Sequence, residues 1–208
     1  ALAAFGSAKG SNEEAYLIQK LVRTGFGSNN VDHCTRLCHA SSVAALMEGI
    51  GSGAVTAPFM AAKDADVIIV IGARPTENHP VAATFLKQAA KDGKILIVMD
   101  PRKHGLSRHA NHHLQFKPGT DVALLNAIMN VIISENLVDQ QYIAGYTENF
   151  EALKISIADF TPEKMAEVCG VDEETIRTVA RTYATAERGI IFWGMGISQS
   201  VHGTDNAR

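Results

Sequence analysis

The sequence lacks several features that assign proteins to common functional classes. It has no excess of basic residues, since 19 Lys and Arg stand against 22 Asp and Glu for a net charge of -3, and these residues form no cluster that would bind a phosphate backbone. No apolar run approaches the roughly 20 residues of a membrane span, and the start shows no signal-peptide pattern. We therefore expect no nucleic-acid partner, no membrane insertion and a cytoplasmic location.

Cysteine is also scarce, with only Cys34, Cys38 and Cys169 in 208 residues. Three thiols cannot all pair with one another, and two of them stand four residues apart in one segment. Disulfide frameworks are not laid out in this way. We predict reduced thiols, with a chemical role for the pair that lies close together.

The pattern that is present is a repeated order of apolar strand, polar turn and helix. It predicts an α/β fold with a doubly wound, mostly parallel sheet and helices on both faces, as in Rossmann-like proteins. Strands are predicted over 2–5, 67–71, 95–99, near 114–116 and over 190–193; helices over 13–22, from about 42, over about 80–90, over 122–135, between Thr161 and Gly170, and from Asp172 to about 186. No turn carries a complete G-x-G-x-x-G or G-x-x-x-x-G-K-[ST] motif, which argues against ordinary NAD binding and against a P-loop.

Residues 29–42, N-N-V-D-H-C-T-R-L-C-H-A-S-S, concentrate the reactive side chains. Cys34 and Cys38 could be small buried hydrophobic residues. A zinc site would need four ligands from His33, Cys34, Cys38 and His39, but adjacent ligands point apart and the spacing is not C-x2-C. A Cys-His nucleophile is disfavoured because the side chains of Cys38 and His39 diverge. The residues alone leave these alternatives open.

This segment resembles the metal-ligand segment of the formate dehydrogenases of the DMSO reductase superfamily, in which the second cysteine, or a selenocysteine, binds molybdenum or tungsten. Five further stretches resemble the same family: 6–13 (G-S-A-K-G-S-N-E), 72–80 (G-A-R-P-T-E-N-H-P), 100–103 (D-P-R-K), 117–121 (K-P-G-T-D) and 193–199 (W-G-M-G-I-S-Q). The resemblance spans essentially the whole chain. Related nitrate reductases lack the His after the Cys and sulfoxide reductases use Ser, so Cys38 with His39 favours formate dehydrogenase. Arg74 departs from the Asn that is common there.

The resemblance implies a set of functional residues. Cys38 would be the metal ligand and, with His39, the catalytic pair; the imidazole, which titrates near neutral pH, would orient formate or accept its proton. The cofactor implied is a bis-molybdopterin guanine dinucleotide with molybdenum or tungsten. Its predicted contacts are Ser7, Lys9, Gly72, Arg74, Asn78, Asp100, Arg102, Gly119, Asp121, Gly194, Met195, Gly196 and Gln199.

The resemblance also implies a larger protein. Residues 1–33 would end a preceding α/β cofactor-binding domain, and residues 34–208 would form a molybdopterin-dinucleotide-binding domain. An iron–sulfur cluster would lie elsewhere in the full-length subunit, and the partners would be formate and electron-transfer subunits or domains with iron–sulfur or flavin centres. We expect these 208 residues alone to be inactive. The alternatives are a noncatalytic nucleotide-binding or structural subunit, or a related enzyme such as nitrate reductase.

Four histidines, His104, His109, His112 and His113, follow the third strand without a metal-ligand spacing. We expect them to be solvated or hydrogen-bonded rather than metal ligands.

Overall fold

A computed structural model describes residues 1–208, which divide into a small unit, residues 1–54 and 201–208, and a large unit, residues 55–200. The predicted domain boundary between residues 33 and 34 falls inside the small unit. The strands are β1 Ala4–Gly6, β2 Val31–His33, β3 Val67–Ile71, β4 Ile95–Met99, β5 His112–Leu114 and β6 Gly189–Trp193. The helices are α1 Asn12–Lys20, α2 Thr35–Cys38, α3 Ala40–Ile50, α4 Pro75–Asn78, α5 Pro80–Lys91, α6 Asp121–Ser134, α7 Gln140–Tyr146, α8 Phe150–Ile157, α9 Pro162–Cys169, α10 Glu173–Ala184, α11 Met195–Ser198 and α12 Gly203–Ala207.

The small unit is built on two short parallel strands joined by a helix. β1 pairs with β2 in the register Ala4 to Val31, and α1 forms the crossover between them. A capping box opens α1, in which Ser11 accepts from the Glu14 N–H and the Glu14 carboxylate accepts from the Ser11 N–H. This pairing satisfies two backbone donors that a helix start would otherwise leave without partners.

The large unit contains a four-stranded parallel sheet in the order β5-β4-β3-β6. All five residues of β3 are buried, because β4 and β6 pair with its two edges and other side chains cover its two faces. One face packs Ile68, Val70, Leu96 and Val98 against Leu86 of α5 and its neighbours. The alternate side chains, such as Ile69 and Ile97, are equally buried. Parallel strands covered on both faces are expected to be apolar throughout, as these are.

The predicted α/β class, with parallel strands flanked by helices, is therefore confirmed. The strands over 67–71 and 95–99 lie where they were predicted. Thr161 and Asp172 cap α9 and α10 as expected, each accepting a hydrogen bond from a backbone N–H of the first turn, and Gly170 ends α9 with a φ of 77°.

Several boundaries were wrong. β1 covers Ala4–Gly6 rather than 2–5, α1 ends at Lys20 and continues as a wider helical turn over Leu21–Gly25, and β5 covers His112–Leu114 rather than 114–116. The sequence analysis missed six elements and the polar end of the chain forms α12; the missed elements are β2, α2, α4, α7, α8 and α11. No helix has both the length and the apolar character needed to cross a membrane.

Candidate cofactor and metal site

The two thiols of the small unit lie one helical turn apart. β2 ends at His33, and the Cys38 N–H donates to the Cys34 carbonyl oxygen over 2.9 Å. Burial is the largest cause that raises the pKa of the Cys38 thiol, followed by its hydrogen bond with Cys34 and by the charge of Cys34. The nearby Lys9 ammonium acts in the opposite direction and lowers this pKa. The fold therefore brings together two residues that were predicted separately, Cys38 as ligand and Lys9 as cofactor contact.

The turn after β1 holds Lys9 in place. The Ser7 Oγ accepts a hydrogen bond from the Lys9 backbone N–H at 3.1 Å, and both residues are exposed. A serine that accepts from the N–H two residues on is a common local turn element. Ser7 thus orders the turn that carries Lys9.

His39 lies at the junction of two helices. Its N–H donates to the Thr35 carbonyl at 3.1 Å, and its own carbonyl accepts from the Val43 N–H at 3.0 Å. His39 is both the C-cap of α2 and the N-cap of α3. Its φ of -130° is not a helical value. The backbone at the Cys38–His39 pair is therefore fixed on both sides by hydrogen bonds.

In the large unit, the order in which the chain adds strands to the sheet reverses at β3. The chain runs from β3 through β4 to β5 on one side and returns to β6 on the other. In open α/β sheets, ligands bind at the carboxyl ends of strands where the order reverses in this way. The loops after β3 and β6 begin with Gly72 and Gly194, so two predicted residues lie at this switch point.

These glycines have a packing role that the sequence analysis did not foresee. The Gly196 N–H donates to the Gly72 carbonyl at 2.9 Å, and the Gly194 N–H donates to the Ile71 carbonyl at 3.1 Å. A Cβ on Gly196 would lie 2.7 Å from Gly72 Cα, and Gly72 itself has a φ of 58°. Both loops therefore need glycine to approach each other, and the Gly194 and Gly196 amides already have protein partners.

The remaining predicted residues of these two loops differ in their surroundings. Arg74 forms an ion pair with Glu77, three residues on, which occupies part of its guanidinium. Asn78 is exposed at the end of α4. Met195 is half-exposed at the start of α11, and its carbonyl accepts from the Gln199 N–H at 2.7 Å.

Asp100 lies at the carboxyl end of β4. Its backbone N–H donates to the Leu114 carbonyl of β5 at 3.2 Å, and its Oδ1 accepts from the Arg102 N–H at 2.8 Å. The Asp100 residue is 7% exposed. The Arg102 backbone therefore holds one carboxylate oxygen, while the exposed Arg102 side chain extends from the same loop.

Asp121 is the first residue of α6, after a tight turn over residues 117–120. The Thr120 N–H donates to the Lys117 carbonyl at 3.2 Å, with Pro118 second and Gly119 third at a φ of 81°. This is a type II turn, which favours Pro and Gly at those positions. Burial first, and then the neighbouring charge of Asp100, raises the pKa of Asp121. The two predicted carboxylates thus lie close enough to repel each other.

Two histidines beside this pair were not predicted as site residues. The Nε2 atoms of His104 and His113 are buried without a hydrogen-bond partner, as is the Oγ1 of Thr76. The expectation that these histidines are solvated or hydrogen-bonded is met at the His104 Nδ1, which accepts from the Leu106 N–H, but not at the two Nε2 atoms. One feature of the sequence could have indicated the position of His104, because this residue follows Asp100, which ends a predicted strand, by four residues. No group of three or more His, Cys, Asp or Glu side chains is arranged to hold a metal ion.

Comparison with known proteins identifies the family of the chain. The sequence profile described as "Molybdopterin oxidoreductase" matches residues 1–208. The chain belongs to the molybdopterin oxidoreductase family.

More specifically, the chain is similar to formate dehydrogenases. It is 43% identical over 201 residues to the F420-dependent formate dehydrogenase subunit alpha of Methanocaldococcus jannaschii, covering 97% of this chain and 30% of that protein. It is 40% identical over 204 residues to formate dehydrogenase H of Escherichia coli, covering 98% of this chain and 28% of that protein. The chain thus spans less than a third of these relatives.

A solved structure shows the same fold. Acetylene hydratase from Pelobacter acetylenicus superimposes with a TM-score of 0.78 at 26% identity, covering 98% of this chain and 28% of that one. Its name denotes the hydration of acetylene. A shared fold therefore does not decide which reaction a member of this family catalyses.

The side chains fit the cofactor that the family name implies. Neither Asp100 nor Asp121 forms an ion pair with Lys or Arg, so both carboxylates offer acceptor oxygens to a ligand rich in N–H and O–H donors. The Cys38 thiol is a soft ligand suited to a metal bound by other sulfur atoms.

Proposed function

We propose that the full-length protein is the catalytic subunit of a formate dehydrogenase, which oxidises formate to carbon dioxide and passes two electrons on. The observation that carries the proposal is the pair Cys38–His39, fixed at the junction of α2 and α3 with the Lys9 ammonium close to the thiol. The similarity to formate dehydrogenases over nearly the whole chain supports it.

Different residues of this chain would bind different parts of a bis-molybdopterin guanine dinucleotide. Cys38 would ligate molybdenum or tungsten as a thiolate, and a bound cation would supply the charge that favours the deprotonated form. Lys9 would neutralise an anionic part of the cofactor beside the thiolate. Ser7, Gly72, Arg74, Asn78, Met195 and Gln199 are proposed as further contacts.

The carboxyl ends of β4 and β5 would bind one guanine nucleotide. Asp100 and Asp121 would accept hydrogen bonds from the base or the ribose, and Arg102 would neutralise phosphate charge. Gly119 has no side chain, so the space beside the type II turn would stay open to the cofactor. A Cβ at this position would meet no protein atom within 4 Å. Gly194 and Gly196 would act by shaping the two loops, since their amides are bonded to Ile71 and Gly72.

Formate oxidation releases carbon dioxide, one proton and two electrons. When bound, the metal centre accepts the two electrons. His39 would orient the formate anion or accept the proton, because an imidazole can change its charge near neutral pH. The electrons would leave through an iron–sulfur cluster and through partner subunits with iron–sulfur or flavin centres, outside this chain. The cytoplasmic location stays a prediction.

The direct test is formate-dependent reduction of a viologen dye by the purified full-length protein, together with metal analysis. We expect dye reduction that requires formate, and molybdenum or tungsten near one atom per subunit. A protein with neither metal nor dye reduction would be a noncatalytic subunit on the same scaffold. A metal-loaded protein that reduces nitrate or hydrates acetylene but ignores formate would also contradict the proposal.

A further inference from the structure

His104 is a buried imidazole beside the carboxylate of Asp100. Its side chain has no exposed surface, and its Nε2 lies 4.0 Å from the Asp100 Oδ2. This distance is too long for a hydrogen bond. The Nε2 has no other partner, so a polar atom is buried unpaired at the predicted nucleotide site. Such atoms cost free energy and are rare in folded proteins.

The hydrogen bonds around His104 identify which ring nitrogen carries the proton. The Nδ1 accepts from the Leu106 N–H at 3.4 Å, in a turn where the His104 N–H also donates to the Ser107 Oγ. Burial is the main cause that lowers the pKa of His104, which favours the neutral ring. A neutral imidazole that accepts at Nδ1 must carry its proton at Nε2. The unpaired atom is therefore a donor directed toward Asp100.

The Asp100 carboxylate is half satisfied by the protein. Its Oδ1 accepts from the Arg102 N–H, whereas the His104 Nε2 lies 4.0 Å from its Oδ2. The charge of Asp100 also acts on His113. The residues around His104 are also charged or polar, since Arg74 and Glu77 act on it electrostatically and Thr76 Oγ1 lies beside Gly105. The Arg74 Nε and the His113 Nε2 are also buried without a partner. Of these three nitrogens, the His104 Nε2 is the one that comes within 4.0 Å of the Asp100 carboxylate.

We propose that His104 is a positioning residue for guanine nucleotide binding, whose Nε2–H closes onto the Asp100 Oδ2 and orients that carboxylate as an acceptor for the base. The guanine edge presents adjacent N–H donors that match two carboxylate oxygens. The cytosine edge presents one amino donor beside two acceptors and would not match two carboxylate oxygens. An Asp100 held as an acceptor would therefore favour guanine, and the inference rests on the proposed cofactor.

Two substitutions of similar size separate this role from a packing role. In His104→Asn the side-chain amide can occupy the place of Nδ1 and keep the Leu106 contact, but it cannot reach Asp100. In His104→Gln the longer amide can place an N–H donor where Nε2 stands, but it loses the Leu106 contact. His109→Asn is the control, because His109 lies in the same loop and its neighbouring charges are Arg108, Lys87 and Lys91 rather than Asp100.

The readout is the GMP released per subunit when each full-length variant is heated in acid, which denatures the protein and hydrolyses the pyrophosphate bond of the cofactor, with thermal unfolding measured in parallel. We expect His104→Asn to lose at least threefold of its GMP, while His104→Gln and His109→Asn retain most of theirs. If His104→Asn retains wild-type GMP, or if Asn and Gln lose it equally, the positioning role is wrong. If the wild-type protein releases no GMP, the cofactor assignment fails and this inference fails with it.

Discussion

The small unit and the large unit bury their side chains to very different extents. Val22 and Ala45 are the buried apolar residues of the small unit, while Phe5 and Leu37 there are more than 80% exposed. The large unit buries all of β3, most of β4 and the inner faces of α5, α6 and α10. The small unit therefore carries reactive side chains on a small buried core, and the large unit has the more extensive core, on which the proposed nucleotide would bind.

This contrast predicts that substitutions in the small unit change chemistry more than stability, and that those in the large unit do the reverse. The predictions below test it in full-length protein, from the largest expected effect to the smallest.

Cys38→Ser should reduce formate-dependent dye reduction by at least 100-fold, because a hydroxyl is a harder and weaker ligand than a thiolate. Circular dichroism and the melting temperature should stay near wild type, since Cys38 is only half-buried. Cys34→Ser, the same change one turn earlier, is the matched control and should retain most activity. Equal losses in both variants would contradict the assignment of the ligand to Cys38.

His39→Ala should lower kcat by about 100-fold if the imidazole handles the proton, with a smaller change in KM. Steady-state kinetics with formate over a range of pH measures both values. A rise in KM with unchanged kcat would instead assign His39 to formate binding.

Gly196→Ala should destabilise the large unit by about 1–3 kcal/mol, as expected for overpacking, because the new Cβ would lie 2.7 Å from Gly72 Cα. Gly145→Ala in α7 is the control, since a Cβ there meets no atom within 4 Å. It should stabilise the helix by about 0.5–1 kcal/mol. Denaturant unfolding that shows similar stabilities for both variants would mean that the Gly72–Gly196 approach does not constrain the fold.

Asp121→Asn should raise the melting temperature of cofactor-free protein by a few degrees at neutral pH and lower its GMP content. Burial and Asp100 raise the pKa of Asp121 above its value in the unfolded chain. The folded state then holds this proton more tightly, so stability falls as pH rises from the unfolded to the folded pKa. The gain in melting temperature of Asp121→Asn over wild type should disappear at pH values below the unfolded pKa. A melting temperature that is lower than wild type at neutral pH would contradict the account.

The contrast between the units also explains what the sequence could predict. β3 and β4 were predicted to the residue because each is an unbroken apolar run bounded by polar residues. β2, with the sequence Val-Asp-His, and the four-residue α2 are too short to show any period. The prediction placed β5 two residues too late, because Leu114 and Phe116 are both buried and burial alone does not show where strand pairing ends.

The site followed the same division. Turn chemistry placed Asp100 at the end of a strand and Asp121 in a turn before a helix, whereas only the fold showed that the two carboxylates repel each other. His104 was dismissed because four nearby histidines share no ligand spacing, and its proximity to Asp100 comes from a turn that the sequence pattern does not specify. The packing role of Gly196 was hidden for a similar reason, since Gly72 is more than 120 residues away along the chain.

The central claim is that Cys38 supplies a sulfur ligand to molybdenum or tungsten in the full-length protein. X-ray absorption spectroscopy of the metal in wild-type and Cys38→Ser protein measures this directly. We predict that the variant, at equal metal content, has one sulfur neighbour fewer than the wild type, with an oxygen neighbour in its place or none. An unchanged sulfur shell in the metal-loaded variant would contradict the claim.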